Sequence, residues 1–377
     1  MLIKHKNEEI IKVGVLVPQS PASPTASLNF VDGIKLYFTL FENRFLRGEV
    51  QLEIMDIGTG NSSKVLEKTQ ELMMNYKPNI ILGYMNSMIG IELANMVNTH
   101  GIPVLISNLG EQAINQLHIP ENLYFNTFQF WQSYFHLGKY LSEKSDKDWL
   151  IVSSLHDAGY DPLRAFRLGL QCNDANVVQE VYLNSDSDHD LIKEFNLKFE
   201  EMNNLFPALF FQPKLQHDLI NYMSSRYDSL VTTPFYYGND QTIKYWAFSD
   251  NTLVPDQKDI INGTMEYLNS DADLFHLLGY RAGAMLFEAV KNMDSPENDK
   301  INVKNTWARY NLKLNDEVLS IDTDYQDLNG LSGIYKGISN VKSNDRLHVI
   351  RSYDIDQYIM EEMTKDKALF TNPYMFF

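Results

Sequence analysis

Two short stretches carry the residue types best suited to holding a small molecule: residues 84–87, YMNS, and residues 107–111, SNLGE. Ser87 sets a hydroxyl at the start of a segment whose apolar residues Ile89, Leu93, Met96 and Val97 recur at i, i+4, i+7 and i+8, one helical stripe. A serine there, with the N–H groups of Met88 and Ile89 and the positive helix end behind it, suits a carboxylate or a similar anion. It equally suits a plain helix cap, and the two roles are compatible.

Other reactive-looking groups fit bland roles better. There is no G-x-S-x-G elbow, H-E-x-x-H helix or glycine-rich phosphate loop. The run SDSDHD at 185–190 precedes a helical stretch, where acids favour the helix dipole, so a solvated N-terminus is expected there. In IDTDYQDLNG, Asp322 and Asp324 fit a calcium loop, but Asp327 stands where that loop needs glycine. The single cysteine, Cys172, excludes an internal disulfide and reads as a buried structural thiol.

The elements that place the two stretches are a strand over 79–82, a helix from 87 closed by Gly101 and Pro103, and a second strand over 103–106. Strand, helix, strand makes a parallel βαβ unit, and ligands of such sheets sit beyond the carboxyl ends of the strands. Both stretches arrive there. Upstream, Ile11–Val17 is a central strand, the proline-rich loop PQSPASPTAS follows, and Phe30, Ile34, Tyr37, Phe38 and Phe41 give a helical stripe. Val50–Asp56 alternates as a strand, and a helix starting at 61–63 buries Val65, Thr69, Leu72, Met73 and Tyr76. A short strand is expected near 123–126. The pattern breaks at the aromatic stretch 127–133 and restarts with a strand over 149–153 and a helix opened by Asp161 and Pro162. Strands over 177–183, 208–211 and 230–232, a long helix over 270–290 and two C-terminal strands complete the chain.

At 377 residues the chain is long enough for two domains. Hydrophobic content of 44% and charged content of 21% are those of a globular protein with a real core. A formal net charge of -17 repels phosphate backbones and anionic lipid, which sets nucleic acid and membrane surfaces aside as partners. No apolar run is long enough to span a bilayer.

The order of elements and several strings resemble the type I periplasmic binding proteins, in particular the leucine/isoleucine/valine-binding branch serving ABC transporters. IKVGVLVPQS…DGIKLYFTLFEN is similar to that family's opening strand, ligand loop and first helix. MDIGTGNSSKVLEKTQELM resembles its second strand and helix, IILGYMNSMIGIELANMVNTHGIPVLIS the stretch I-I-G-x-x-x-S…G-I-P-x-I-S, and SSLHDAGYDPLRAFRLGL the opening of the second lobe. The resemblance implies an α/β fold of two doubly wound parallel-sheet lobes joined by a three-crossover hinge, with ligand in the cleft. By analogy 1–127 with 265–330 form one lobe, and 128–264 with 331–377 the other.

The resemblance also implies a ligand set. Ser20 lies in the ligand loop; Tyr84 and Ser87 follow the third strand, Ser87 matching the serine that grips an amino acid's carboxylate. Leu109, Gly110 and Glu111 supply the facing loop, with Glu111 where amino-acid binders place threonine. Its charge would repel a carboxylate unless it turns away, so a cationic or amide-bearing ligand enters the expectation. Tyr160 matches the aromatic that closes from the second lobe, Asp240 falls near the acid that holds an α-ammonium group, and Tyr237 adds an apolar wall beside Tyr236 and Trp131. Phe130 sits where relatives carry an aspartate. The expectation is a non-enzymatic receptor for a small polar ligand such as an amino acid or amide, closing by hinge motion and delivering to an ABC transporter permease, with no cofactor, no metal and no membrane insertion of its own. A cytoplasmic ligand sensor on the same fold, and an enzyme using an acid pair such as Asp157 and Asp240, are the alternatives. The location follows the choice: periplasmic if a signal peptide was trimmed, cytoplasmic if the chain is complete as given.

Overall fold

A computed structural model describes residues 10–19, 25–41, 50–110, 112–113, 119–127, 130–143, 148–154, 161–183, 205–210, 230–231, 244–248, 266–269, 272–291, 334–338 and 357–365, with residues 193, 219, 222 and 263 besides. Two separate sheets emerge. The first contains β1 (Ile11–Val17), β2 (Val50–Asp56), β3 (Ile80–Tyr84), β4 (Val104–Asn108) and β5 (Leu123–Thr127), in the order β2-β1-β3-β4-β5 and parallel throughout. The second contains β6 (Asp148–Ser154), β7 (Val177–Leu183), β8 (Leu205–Phe210), β9 (Leu230–Val231), β10 (Lys244–Phe248) and β11 (Ile334–Ile338). Its order β7-β6-β8-β9-β10-β11 repeats the first sheet's pattern and adds one antiparallel strand, β11 beside β10. The α/β class and the two-sheet repeat are as the βα periodicity implied.

Strands β3, β4 and β5 are buried along their whole length and β1 nearly so, as central parallel strands are, whereas the edge strand β2 is largely exposed. α1 (Ala26–Phe41) packs with α6 (Leu274–Lys291) at the first sheet, while α2 (Ser62–Asn75) packs beside α3 (Ser87–Val97). In the second unit α4 (Phe130–Ser142) packs on α5 (Asp161–Gln171), and α7 (Gln357–Lys365) lies against α5. Both major helix pairs cross on glycine. A Cβ on Gly279 would strike the carbonyl of Phe30, and one on Gly33 the carbonyl of His276. Likewise a Cβ on Gly138 would strike the carbonyl of Phe166, and one on Gly169 that of Phe135. The helices thus approach backbone to backbone, closer than ordinary side chains permit.

Caps fix the helix starts. Asn61 accepts from the N–H of Lys64 at the head of α2. At the head of α6, Asp273 accepts from the N–H groups of Phe275 and His276, and Asn29 of α1 donates to its other oxygen at 2.6 Å. Burial pushes the Asp273 carboxyl up, but the bonds and charge of His276 and the amide of Asn29 together hold it below the usual carboxylate range. Asp273 is therefore the cap, and it ties α1 to α6 at the carboxyl end of the first sheet.

Three expectations are corrected. The stretch 127–133, read as the boundary where the pattern stops, instead runs from the end of β5 into helix α4, Phe130–Ser142. Cys172, expected to be buried, is exposed. The C-terminal segment contributes helix α7 besides strand β11, and the second expected tail strand lies outside the described residues, as do the runs at 185–190 and 322–327.

Candidate functional site

The carboxyl ends of β3 and β4 converge as expected, and their side chains form a bonded group. Asn86, one residue before Ser87, is the cap of α3: its Oδ1 accepts from the N–H of Met88 at 2.8 Å. Ser87 is the first residue inside the helix, which corrects its assignment as the cap. Its Oγ accepts from Asn108 Nδ2 at 2.7 Å, while Asn108 Oδ1 accepts from the N–H of Gly110 at 3.0 Å. A hydroxyl that accepts from Asn108 keeps its own proton to donate, and the accepted bond polarises it as a donor. The N–H of Ile89 has no partner among the described residues, so it adds a second donor beside Ser87 at the positive end of α3. Met88, 50% exposed, supplies an apolar surface next to this pair, whereas Ser87 is 2% exposed and Asn86 is 4% exposed.

The loop after β4 takes a left-handed turn at Gly110, with φ of 80°, which glycine adopts without a steric penalty. Its carbonyls are already used. The N–H of Phe130 donates to Leu109 O at 3.0 Å and that of Trp131 to Gly110 O at 3.1 Å. This amends the expectation that the loop's backbone faces a ligand: the Leu109 and Gly110 carbonyls and the Gly110 N–H are bonded within the protein.

Several expected ligand residues are instead its support. Tyr84 is 4% exposed, stacked on Phe30 with ring centroids 5.4 Å apart and tilted against Phe275 at 5.9 Å. It forms a floor under the site and holds the starts of α1 and α6 against β3. Leu109 and Phe130 are 1% and 0% exposed, and both side chains belong to the main core. Trp131, 1% exposed, belongs to a smaller core with Phe135, Ala165, Ile359 and Met363. Ser20, Glu111, Tyr160, Tyr237 and Asp240 lie outside the described residues, as do Asp157 and Tyr236.

Sequence reasoning gave the side chains of Asn86, Asn108 and Asp161 no role at the site. Two of these left a signal: asparagine directly before a helix and asparagine at a strand end are typical positions for side-chain-to-backbone bonds. Asp161 opens α5, and its Oδ2 accepts from the N–H of Ala113 at 2.6 Å, joining the loop after β4 to the second unit. Burial pushes its carboxyl up to about 6, although the Ala113 bond and the charge of Arg164 pull the other way. Among the described residues no group of His, Cys, Asp and Glu is arranged to hold a metal ion. No helix among them is long and apolar enough to cross a membrane.

Comparison with known proteins bears on this geometry. Residues 10–193 match the family model described as periplasmic binding protein. No curated protein matches the chain by sequence. Among solved structures, a solute-binding protein of an ABC transporter from R. palustris, in complex with benzoate, is 16% identical, covers 92% of this chain and 98% of its own, and has a TM-score of 0.69. The branched-chain amino acid transporter substrate-binding protein from Streptococcus pneumoniae, in complex with isoleucine, is 14% identical, covers 90% and 99%, and scores 0.66. A solute-binding protein of an ABC transporter from Rhodopseudomonas palustris BisB5, in complex with 3,4-dihydroxy benzoic acid, is 15% identical, covers 92% and 97%, and scores 0.67. Residues 10–193 thus match a periplasmic-binding-protein family model, and the chain shares its α/β fold with these three structures over nearly its whole length.

Proposed function

We propose that the chain is the solute-binding component of an ABC importer, closing two lobes over a small polar ligand and handing it to a permease. The observation that carries this is the donor pair at the head of α3. A hydroxyl primed by Asn108 and an open N–H of Ile89 stand together at the carboxyl end of a parallel sheet, backed by the helix dipole. A carboxylate fits that pair. Isoleucine, benzoate and 3,4-dihydroxy benzoic acid, the ligands named for the three similar structures, each carry one. Met88, exposed beside the donors, offers the apolar contact that such compounds need next to their carboxylate. Glu111 and Asp240 would then face the cationic or hydrogen-bond-donating end, which keeps amino acids and amides in the set. A receptor of this kind binds without a catalytic step and works outside the cytoplasmic membrane.

A thermal-shift screen against amino acids, amides, polyamines and aromatic acids tests the reading. A compound present at about a thousand times its dissociation constant should stabilise the fold by roughly 4 kcal/mol. Ser87→Ala should then weaken the best compound by about tenfold or more, the effect of losing one charge-assisted hydrogen bond. Because Asn86 and not Ser87 caps α3, the ligand-free protein should lose only about 1 kcal/mol, from the Asn108 amide left with a poorer partner. Asn86→Ala is the control: it removes the cap, worth about 1 kcal/mol, and leaves the Ser87 hydroxyl in place. An affinity unchanged by Ser87→Ala would remove this serine from the binding site.

A further inference from the structure

The connection between β4 and β5 belongs to the first sheet, yet it is bonded to helices of the second unit at three points. Two of these, Phe130 to Leu109 and Trp131 to Gly110, stand beside the place where the chain itself passes from β5 into α4, so they turn with it. The third is different in kind. Ala113 and Asp161 come from separate units, and the methyl group of Ala113 packs against the small core of Trp131, Phe135, Ala165, Ile359 and Met363. Nothing in this contact requires a ligand.

We propose that the Ala113–Asp161 contact is a ligand-independent latch between the two lobes, tightened when the Asp161 carboxyl takes up a proton, so that acid draws the lobes together before any ligand binds. The physical reason is the partial burial of the carboxyl in the latched state. A buried carboxylate is penalised in its charged form, while a neutral carboxyl still accepts from the Ala113 N–H. When the lobes part, water reaches the group and its affinity for protons returns towards the ordinary value of 3.8, from about 6 in the latched state. Opening therefore releases a proton. The latched state is favoured as pH falls through 6 and loses that advantage as pH rises above it.

Charged neighbours do not reverse the sign. Arg164, one turn along α5, acts directly on the carboxyl and favours its charged form, but its guanidinium also donates to the carbonyl of Glu362 on α7. Of the elements packed against α5, α7 brings Glu361 and Glu362, and α4 brings His136 and Lys139, with Glu143 just beyond its end. None of these appears among the influences on Asp161, where burial is the largest. The described residues of the loop itself, Gln112 and Ala113, bring no charge.

Electron-spin distance measurement on the ligand-free protein tests the proposal. One label goes on the native exposed Cys172 at the end of α5, and one on Leu28→Cys, at a 64% exposed position near the head of α1. With Asp161 intact, the ratio of closed to open distances should rise about tenfold between pH about 7.5 and pH about 5. Asp161→Asn, which stays neutral and can still accept from Ala113, should show the closed distance at both values with no pH response. Asp161→Ala should show the open distance at both. A distance distribution that ignores pH with Asp161 intact, one that responds equally in Asp161→Asn, or a closed distance retained in Asp161→Ala overturns the proposal. Because Asp161→Asn is isosteric, the test stands even if Asp161→Ala fails to fold.

Discussion

Gly279→Ala is expected to destabilise the protein by about 3 kcal/mol, the upper part of the usual range for overpacking. Alanine is the better helix former by about 1 kcal/mol, so an exposed helix position would show the opposite sign. At Gly279 the added methyl would meet the backbone carbonyl of Phe30, which cannot rotate away as a side chain could. The helices α1 and α6 would have to separate, loosening the contact of Phe30 with Tyr84 beneath the site. Urea denaturation of the variant checks this: a lowered midpoint with an unchanged slope is expected. A midpoint equal to or above that of the parent protein would mean that α1 and α6 cross further apart than described.

Trp149→Ala should cost more, about 3–5 kcal/mol, as for other large aromatic side chains removed from a core. Trp149 is 0% exposed, stacks on Phe206 with centroids 4.5 Å apart and meets Phe166 edge-on at 5.7 Å. Its neighbours are a strand and a helix of the second unit, neither free to fill the cavity. The indole N–H is buried without a partner among the described residues, so part of what tryptophan contributes by packing is offset by that unmade bond. Trp149→Phe, which keeps most of the ring and discards the N–H, should stay within about 1 kcal/mol of the parent. Equal losses for the two substitutions would show that the indole N–H is satisfied after all. Calorimetry distinguishes the cases.

The contrast between β2 and α4 shows what was legible in the sequence. Val50–Asp56 was bounded correctly because an edge strand alternates and its neighbours are turn residues. Helix α4 was missed because Phe130, Trp131, Tyr134, Phe135, Leu137 and Leu141 are all buried, so apolar residues cover more than one stripe and the helical period disappears. Strand β10, KYWAF, is too short and too mixed in residue type to stand out in the sequence. At the site, the convergence of residues 84–87 and 107–110 followed from the βαβ pattern alone. Which side chain caps α3, however, differed by one position, and Asn86 and Ser87 are both good capping residues. The burial of Trp131 was not readable from residue type, because an aromatic residue serves a cleft wall or a core equally well. The glycines at the helix crossings left no local signal either: Gly138, Gly169 and Gly279 look like weak points in helices until a partner backbone is placed against them.

The central claim, that a small polar ligand is held between the two lobes and draws them together, is tested most directly by small-angle X-ray scattering. The measurement compares the protein alone with the protein saturated by the compound that raises its melting temperature most, at one fixed pH near neutrality. A ligand that touches both lobes binds the closed form better than the open one, and that difference in affinity drives closure. The account predicts a smaller radius of gyration in the saturated sample, and loss of that contraction in Ser87→Ala at the same ligand concentration. Saturable binding with an unchanged radius of gyration would contradict it.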